Sequence, residues 1–158
     1  VQLAKLAGAE VLLLTRSPEK QVLGFNIGAD YAAGTESEVR NIWPEGADLV
    51  VECAGVSATV TLSHKLARSG GRVVILGVIS QGEQVPIEPF DMLFREIQMH
   101  FSFLNPFTHD RAAQMIADGT INVSPLVSRI ISLEEAALAI SSPPPNGEVR
   151  TIVVPKHA

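Results

Sequence analysis

The chain has 158 residues, 46% of them hydrophobic and 18% charged, which is ample apolar material for a buried core. A formal net charge of −5 with no basic run argues against nucleic acid as a partner, and the single cysteine, Cys53, excludes an internal disulfide framework. No stretch approaches the ~18 uninterrupted apolar residues of a membrane-spanning helix, and the start has no signal-like pattern, so no membrane association and a cytoplasmic setting are expected.

Residues 1–8 have helical character without a cap, so the chain is expected to open inside a helix, with something upstream. Residues 10–15 (EVLLLT) predict a buried strand. Ser17 as N-cap and Pro18 at the first helical position start a helix through Ile27, which Gly28 closes. A brief strand over 30–32 and a short helix over 36–42 lead to the Pro44-Glu45-Gly46 turn.

The stretch from Gly46 to Val78 organises the rest. Residues 48–53 and 72–76 are short apolar runs without polar alternation, as expected of strands buried on both faces and therefore parallel. Between them Val60, Leu62 and Leu66, with Ala58 and Ala67, form a helical stripe that Ser69-Gly70-Gly71 is expected to terminate with a left-handed cap. His64 is expected on the surface of that helix. The unit reads as βαβ in a doubly wound, mostly parallel α/β sheet, where ligands sit at the carboxyl ends of the strands. Those ends carry Gly55 and Gly77, which permit close backbone approach.

Beyond Val78, a short helix over 89–95 begins at Pro89, and residues 97–104 (IQMHFSFL) predict a strand that Gln98 and His100 suit to a sheet edge. Thr108 or Asn105 caps a helix through Ala117. A strand over 127–131, a Ser132/Glu135 capping box opening a helix to about Ile140, the break at Pro143-Pro144-Pro145-Asn146-Gly147 and a strand over 149–154 complete the chain. His64, His100, His109 and His157 lie on separate elements without ligand spacing, so no metal site is expected within the chain. Cys53, in an apolar run with no Cys-His signature, reads as an inert small side chain.

The ordered segments AKLAGAEV, GAD at 28–30, ADLVVECAG, SGGRVVILGV, IEPFDMLFRE, FSFLNPF, SLEEAALAI and GEVRTIVV together resemble the C-terminal, cofactor-binding half of zinc-dependent medium-chain alcohol or polyol dehydrogenases. The resemblance covers nearly the whole chain. It implies a Rossmann-like domain over residues 1–126 without its first strand and glycine-rich turn, and a segment over 127–158 that returns to a catalytic domain. Zinc would belong to that other domain. The implied reaction is hydride transfer between a nicotinamide cofactor and an alcohol or polyol; a zinc-independent enone or quinone reductase, or a non-catalytic nucleotide-binding module, are the alternatives. A methyltransferase domain fits less well, because it would want an acid where Thr15 stands.

Carried onto matching positions, the resemblance puts Thr15, Arg16 and Ser17 at the adenosine ribose. NAD-preferring relatives place a carboxylate there, whereas two hydroxyls and a guanidinium suit a 2′-phosphate, so NADP is expected over NAD. Cys53, Ala54 and Gly55 would line the ribose and nicotinamide side, and Leu76, Gly77 and Val78 would lie beside the ring. Ser102, Phe103 and Leu104 would face the carboxamide, with core packing as the alternative for the two apolar side chains. Arg150 would reach the pyrophosphate, or else form a surface ion pair. Relatives pair their cofactor domains edge to edge, which implies a homodimer or tetramer through residues 97–104.

Overall fold

A computed structural model describes residues 1–104 and 106–155. Asn105, one of the two candidate helix caps, and His157 lie outside the described residues. In chain order the elements are α1 (Gln2–Leu6), β1 (Leu12–Leu14), α2 (Pro18–Asn26), β2 (Tyr31–Ala33), α3 (Glu36–Ile42), β3 (Ala47–Glu52), α4 (Ser57–Leu66), β4 (Ala67–Ile75), α5 (Pro89–Phe94), β5 (Gln98–Phe101), α6 (His109–Ala117), a 3-10 turn (Ser124–Leu126), β6 (Val127–Ser132), α7 (Leu133–Ser141) and β7 (Arg150–Val154). Every ladder among them is parallel, in the three sheets β1-β2, β3-β4-β5 and β6-β7, which makes this the α/β fold expected. The chain divides into two compact units: Val1–Gly34 with the described part of Thr108–Ala158, and the described part of Thr35–Phe107.

In the first unit, parallel pairing of β1 with β2 requires a crossover, and α2 supplies it. Gly24 lets that helix lie on the strand, since a Cβ there would fall 2.5 Å from the Leu13 side chain. Asp30 ties the strand to α1: its carboxylate accepts from Lys5 Nζ at 2.7 Å and from the Val11 amide at 2.7 Å. Beyond these, β6 and β7 pair from Val127↔Arg150 to Ser132↔Val154, and the expected capping box forms, with Glu135 accepting from the Ser132 amide at 2.8 Å.

The second unit is built on β3-β4-β5. Val60, Ala67, Val73 and Ile75 form its core, with Val50, Ile79, Val85, Ile97 and Met99 packed against them. Burying Val60, Val73 or Ile75 contributes about 1.5–3 kcal/mol each.

Three expectations fail here. β3 is not buried on both faces: Leu49 is 48% and Val51 47% exposed, because β3 pairs only with β4 and one of its faces is uncovered among the described residues. Ser69-Gly70-Gly71 does not cap α4. The helix stops at Leu66, Ala67 is already extended (φ −71°, ψ 145°), and the glycines lie inside β4 where its register against β3 shifts, Gly70 taking φ +71°. The carbonyls at the end of α4 are capped by arginines: Arg40 donates to Lys65 O, and Arg95 donates to His64 O at 2.8 Å and Ala67 O at 2.7 Å. Finally, His64 is not on the surface. It sits one turn from Val60 on the buried face, 1% exposed, and neither ring nitrogen has a hydrogen-bond partner among the described residues.

Candidate functional site

The residues singled out in the sequence divide between the two units, residues 15–17 and Arg150 in the first and the others in the second. In the first unit, β1 ends at Leu14 and the chain turns through Thr15-Arg16-Ser17 into α2. Local hydrogen bonds build the turn. Thr15 Oγ1 accepts from the Ser17 amide at 3.4 Å, Thr15 O accepts from Gln21 Nε2 at 2.9 Å, and Ser17 Oγ caps the helix by accepting from the Lys20 amide at 3.3 Å. The Ser17 hydroxyl proton goes to Glu19 Oε2 at 2.6 Å, which holds the Glu19 carboxyl below its ordinary range. Thr15 and Ser17 therefore hold the turn in shape, and Arg16 is left exposed.

A cavity of about 410 Å³ opens at this point, lined by residues 16–20 and, from the other side, by 144–148. The proline-rich break between α7 and β7 thus forms a wall, and Gly147 allows its approach: a Cβ there would meet Glu19 Cβ at 2.9 Å. Lys20 joins Arg16 in the lining. The R-S-P-E-K spacing, which returns Lys20 to the cavity after one helical turn, was the available signal for it. Glu148 also lines the cavity; its Oε1 takes Arg129 Nε at 3.3 Å and the Thr151 hydroxyl, while its buried Oε2 has no partner among the described residues. The Thr151 hydroxyl, and secondarily Arg129, lowers its pKa. Arg150, two residues on, opens β7, is exposed and does not line the cavity.

In the second unit, residues 53–55 and 76–78 come together at the carboxyl ends of β3 and β4. Glu52, the last residue of β3, belongs to the strand end that the sequence marks for a ligand, though no role is assigned to it there. Only 5% exposed, it accepts from the Ala54 amide at 2.8 Å, the Gly55 amide at 3.0 Å and the Thr59 hydroxyl at 2.7 Å. Its carbonyl takes the amides of Leu76 at 2.9 Å and Gly77 at 3.1 Å. The two glycines are packed to the limit. A Cβ on Gly77 would fall 2.2 Å from Gly55 N, and one on Gly55, which has φ +66°, would fall 2.6 Å from Val78 O. An acid inside the otherwise apolar DLVVECAG run was the visible sign.

Cys53 follows β3 and is exposed, not packed in an apolar strand. Partial burial, and then the Glu52 carboxylate, raise its thiol pKa, which keeps it protonated at neutral pH. Beyond β5, the Ser102 amide continues the ladder to Ile75 O at 3.0 Å. Phe103 and Leu104 are 78% and 71% exposed, so they are not core packing. Among the described residues no group of three or more His, Cys, Asp or Glu could hold a metal ion, and no helix is long and apolar enough to cross a membrane.

The family described as zinc-binding dehydrogenase matches residues 1–119. The chain belongs to that family. Among its relatives, a protein of Rhizobium meliloti (strain 1021) classed as a D-xylulose reductase is 35% identical over 94 residues, 60% of this chain and 27% of that protein. The sorbitol dehydrogenase of Gallus gallus is 28% identical over 151 residues, 90% of this chain and 42% of that one. A protein from Sinorhizobium meliloti 1021, classed as a zinc-binding dehydrogenase and solved bound to NADP, superposes with a TM-score of 0.92 at 47% identity, over 98% of this chain and 48% of the other. The chain therefore spans less than half the length of these relatives.

Proposed function

We propose that this chain is the NADP-binding half of a dehydrogenase that moves hydride between a nicotinamide cofactor and an alcohol or polyol. The observation that carries the reading is the cavity after β1, where Arg16 and Lys20 stand at the Ser17-capped start of α2. Guanidinium and ammonium groups match a phosphate on the adenosine ribose, and the helix N-terminus adds favourable partial charge. The NADP-bound relative and the polyol dehydrogenases among the other relatives support the same reading.

On this reading Arg16 and Lys20 hold the 2′-phosphate, with Thr15 and Ser17 shaping the turn beneath it. Residues 53–55 and 76–78 offer a side-chain-poor edge to the ribose and the flat ring, Ser102, Phe103 and Leu104 face the carboxamide, and Arg150 serves the pyrophosphate. When bound, the cofactor gives or takes hydride at its nicotinamide. The donor set of the described residues does not fit zinc, so a catalytic metal would be held by residues outside this sequence. Residues 127–158 would return to that catalytic part.

We also propose that a second copy pairs along β5. This strand lies at the end of the β3-β4-β5 order, carries no Lys, Arg, Asp, Glu or Pro, and exposes Phe101 at 75%. We further propose a cytoplasmic setting, with which a single cysteine is compatible.

The test is Arg16→Ala in a full-length form of the dehydrogenase. A hydrogen bond to a charged group contributes about 1.5–3 kcal/mol, so NADPH binding should weaken roughly 10- to 100-fold while NADH binding barely changes. Equal losses for the two would refute the assignment.

A further inference from the structure

We infer that Glu52 is a positioning residue that sets the shape of the cofactor edge, which rests on the reading of residues 53–55 and 76–78 as that edge. A carboxylate 5% exposed is costly to bury, and Glu52 has no ion-pair partner among the described residues. Its compensation is local. Oε1 takes the Ala54 amide, the Gly55 amide and the Thr59 hydroxyl, all within 3.0 Å, and Oε2 takes Gly55 N again at 3.3 Å.

Two successive amides drawn to one oxygen curl the chain back on β3 and put Gly55 in the left-handed region, at φ +66°. The curl presses Gly55 against β4. The Gly77 Cβ position lies 2.4 Å from Glu52 Oε2 and 2.2 Å from Gly55 N, while that of Gly55 lies 2.6 Å from Val78 O. Glu52 therefore acts as a spacer between two strand ends, and the length of its side chain fixes how the two glycine segments meet. An apolar residue of similar size would cost less to bury but could not gather those donors. Thr59, in the first turn of α4, extends the same brace to the helix that follows.

The experiment compares Glu52→Gln, Glu52→Asp and Glu52→Ala in the 158-residue chain by amide NMR. Gln keeps both reach and an acceptor oxygen; Asp keeps the charge but is one methylene short. The expected result is that Asp and Ala accelerate hydrogen exchange of the Ala54 and Gly55 amides at least tenfold relative to Val73, whereas Gln stays within about threefold. Nicotinamide mononucleotide should shift residues 53–55 and 76–78 in the wild type and the Gln variant and not in Asp or Ala. Adenosine 2′-monophosphate, probing the Arg16 cavity in the other unit, should respond alike in all four proteins. Should the Ala variant fold poorly, the Gln and Asp pair carries the comparison. Rescue by Asp rather than Gln, or nicotinamide mononucleotide shifts that survive in the Asp variant, would overturn the positioning role alone. Absence of those shifts from the wild type would overturn the cofactor-edge reading, and the inference with it.

Discussion

Arg95 donates to the carbonyl of His64 at 2.8 Å, closing the end of α4 over an imidazole that is 1% exposed. The same guanidinium reaches Ala67 O at 2.7 Å and pairs with Asp91 at 2.5 Å, so one half-buried side chain joins α5 to the end of α4 and the start of β4. Arg95→Ala leaves two carbonyls without their charged donor and should destabilise the chain by about 2–4 kcal/mol, measured by urea unfolding. A change below about 0.5 kcal/mol, the size of an ordinary surface substitution, would contradict this role.

His64 predicts a pH dependence. Burial is the largest influence on the imidazole and lowers its pKa below 6.5, with Asp91 and Glu88 opposing and Arg95 and Lys65 reinforcing the shift. The unfolded chain therefore binds a proton more readily than the folded one. The contribution is fully present above the unfolded pKa of about 6.5 and is lost as pH falls below it, with a slope of at most ~1.4 kcal/mol per pH unit. Replacing His64 by Leu should flatten urea stability between pH 7 and 5; an unchanged slope in the variant would assign the dependence to another group.

Gly77→Ala tests how tightly the two strand ends meet. Its Cβ would fall 2.2 Å from Gly55 N and 2.5 Å from Gly55 Cα, both backbone atoms that cannot rotate away. Overpacking of this kind costs about 1–3 kcal/mol, and residues 53–55 should show displaced amide resonances. Unperturbed Gly55 and Cys53 resonances would mean that the contact is looser than described.

Much of this arrangement was legible in the sequence, for local reasons. Ser17 with Pro18 and Ser132 with Glu135 are caps formed within one helical turn, so spacing alone locates them. The order of strands and helices follows from apolar runs and breakers in the same way. What sequence reading missed depends on distant partners. His64 looks polar, yet Val60 one turn earlier shares its buried face, and the end of α4 was assigned to a glycine cap because Arg40 and Arg95 lie far away in the chain. Leu49 and Val51 read as buried because a pattern records apolarity and not whether an element covers it. Glu52 was passed over because its role arises only when the loop curls back onto it.

The purified chain should hold no stoichiometric zinc. Its one cysteine and four histidines are scattered along the sequence, and the described residues contain no cluster that could hold a metal. Elemental analysis giving one zinc per chain would overturn this.

Whether this chain carries the NADP-binding half of a dehydrogenase is tested most directly by titrating it with NADPH and with NADH while following backbone amide resonances. Because these 158 residues span less than half the length of the relatives they match, at best millimolar affinity is expected of them alone, of the order of −4 kcal/mol, with no alcohol-dependent reduction of NADP or NAD. Shifts are expected at residues 16–20, 53–55 and 76–78, with NADPH the tighter ligand. Shifts confined to other faces, an equal response to NADH, or turnover with a simple alcohol or polyol that survives repurification would contradict that assignment.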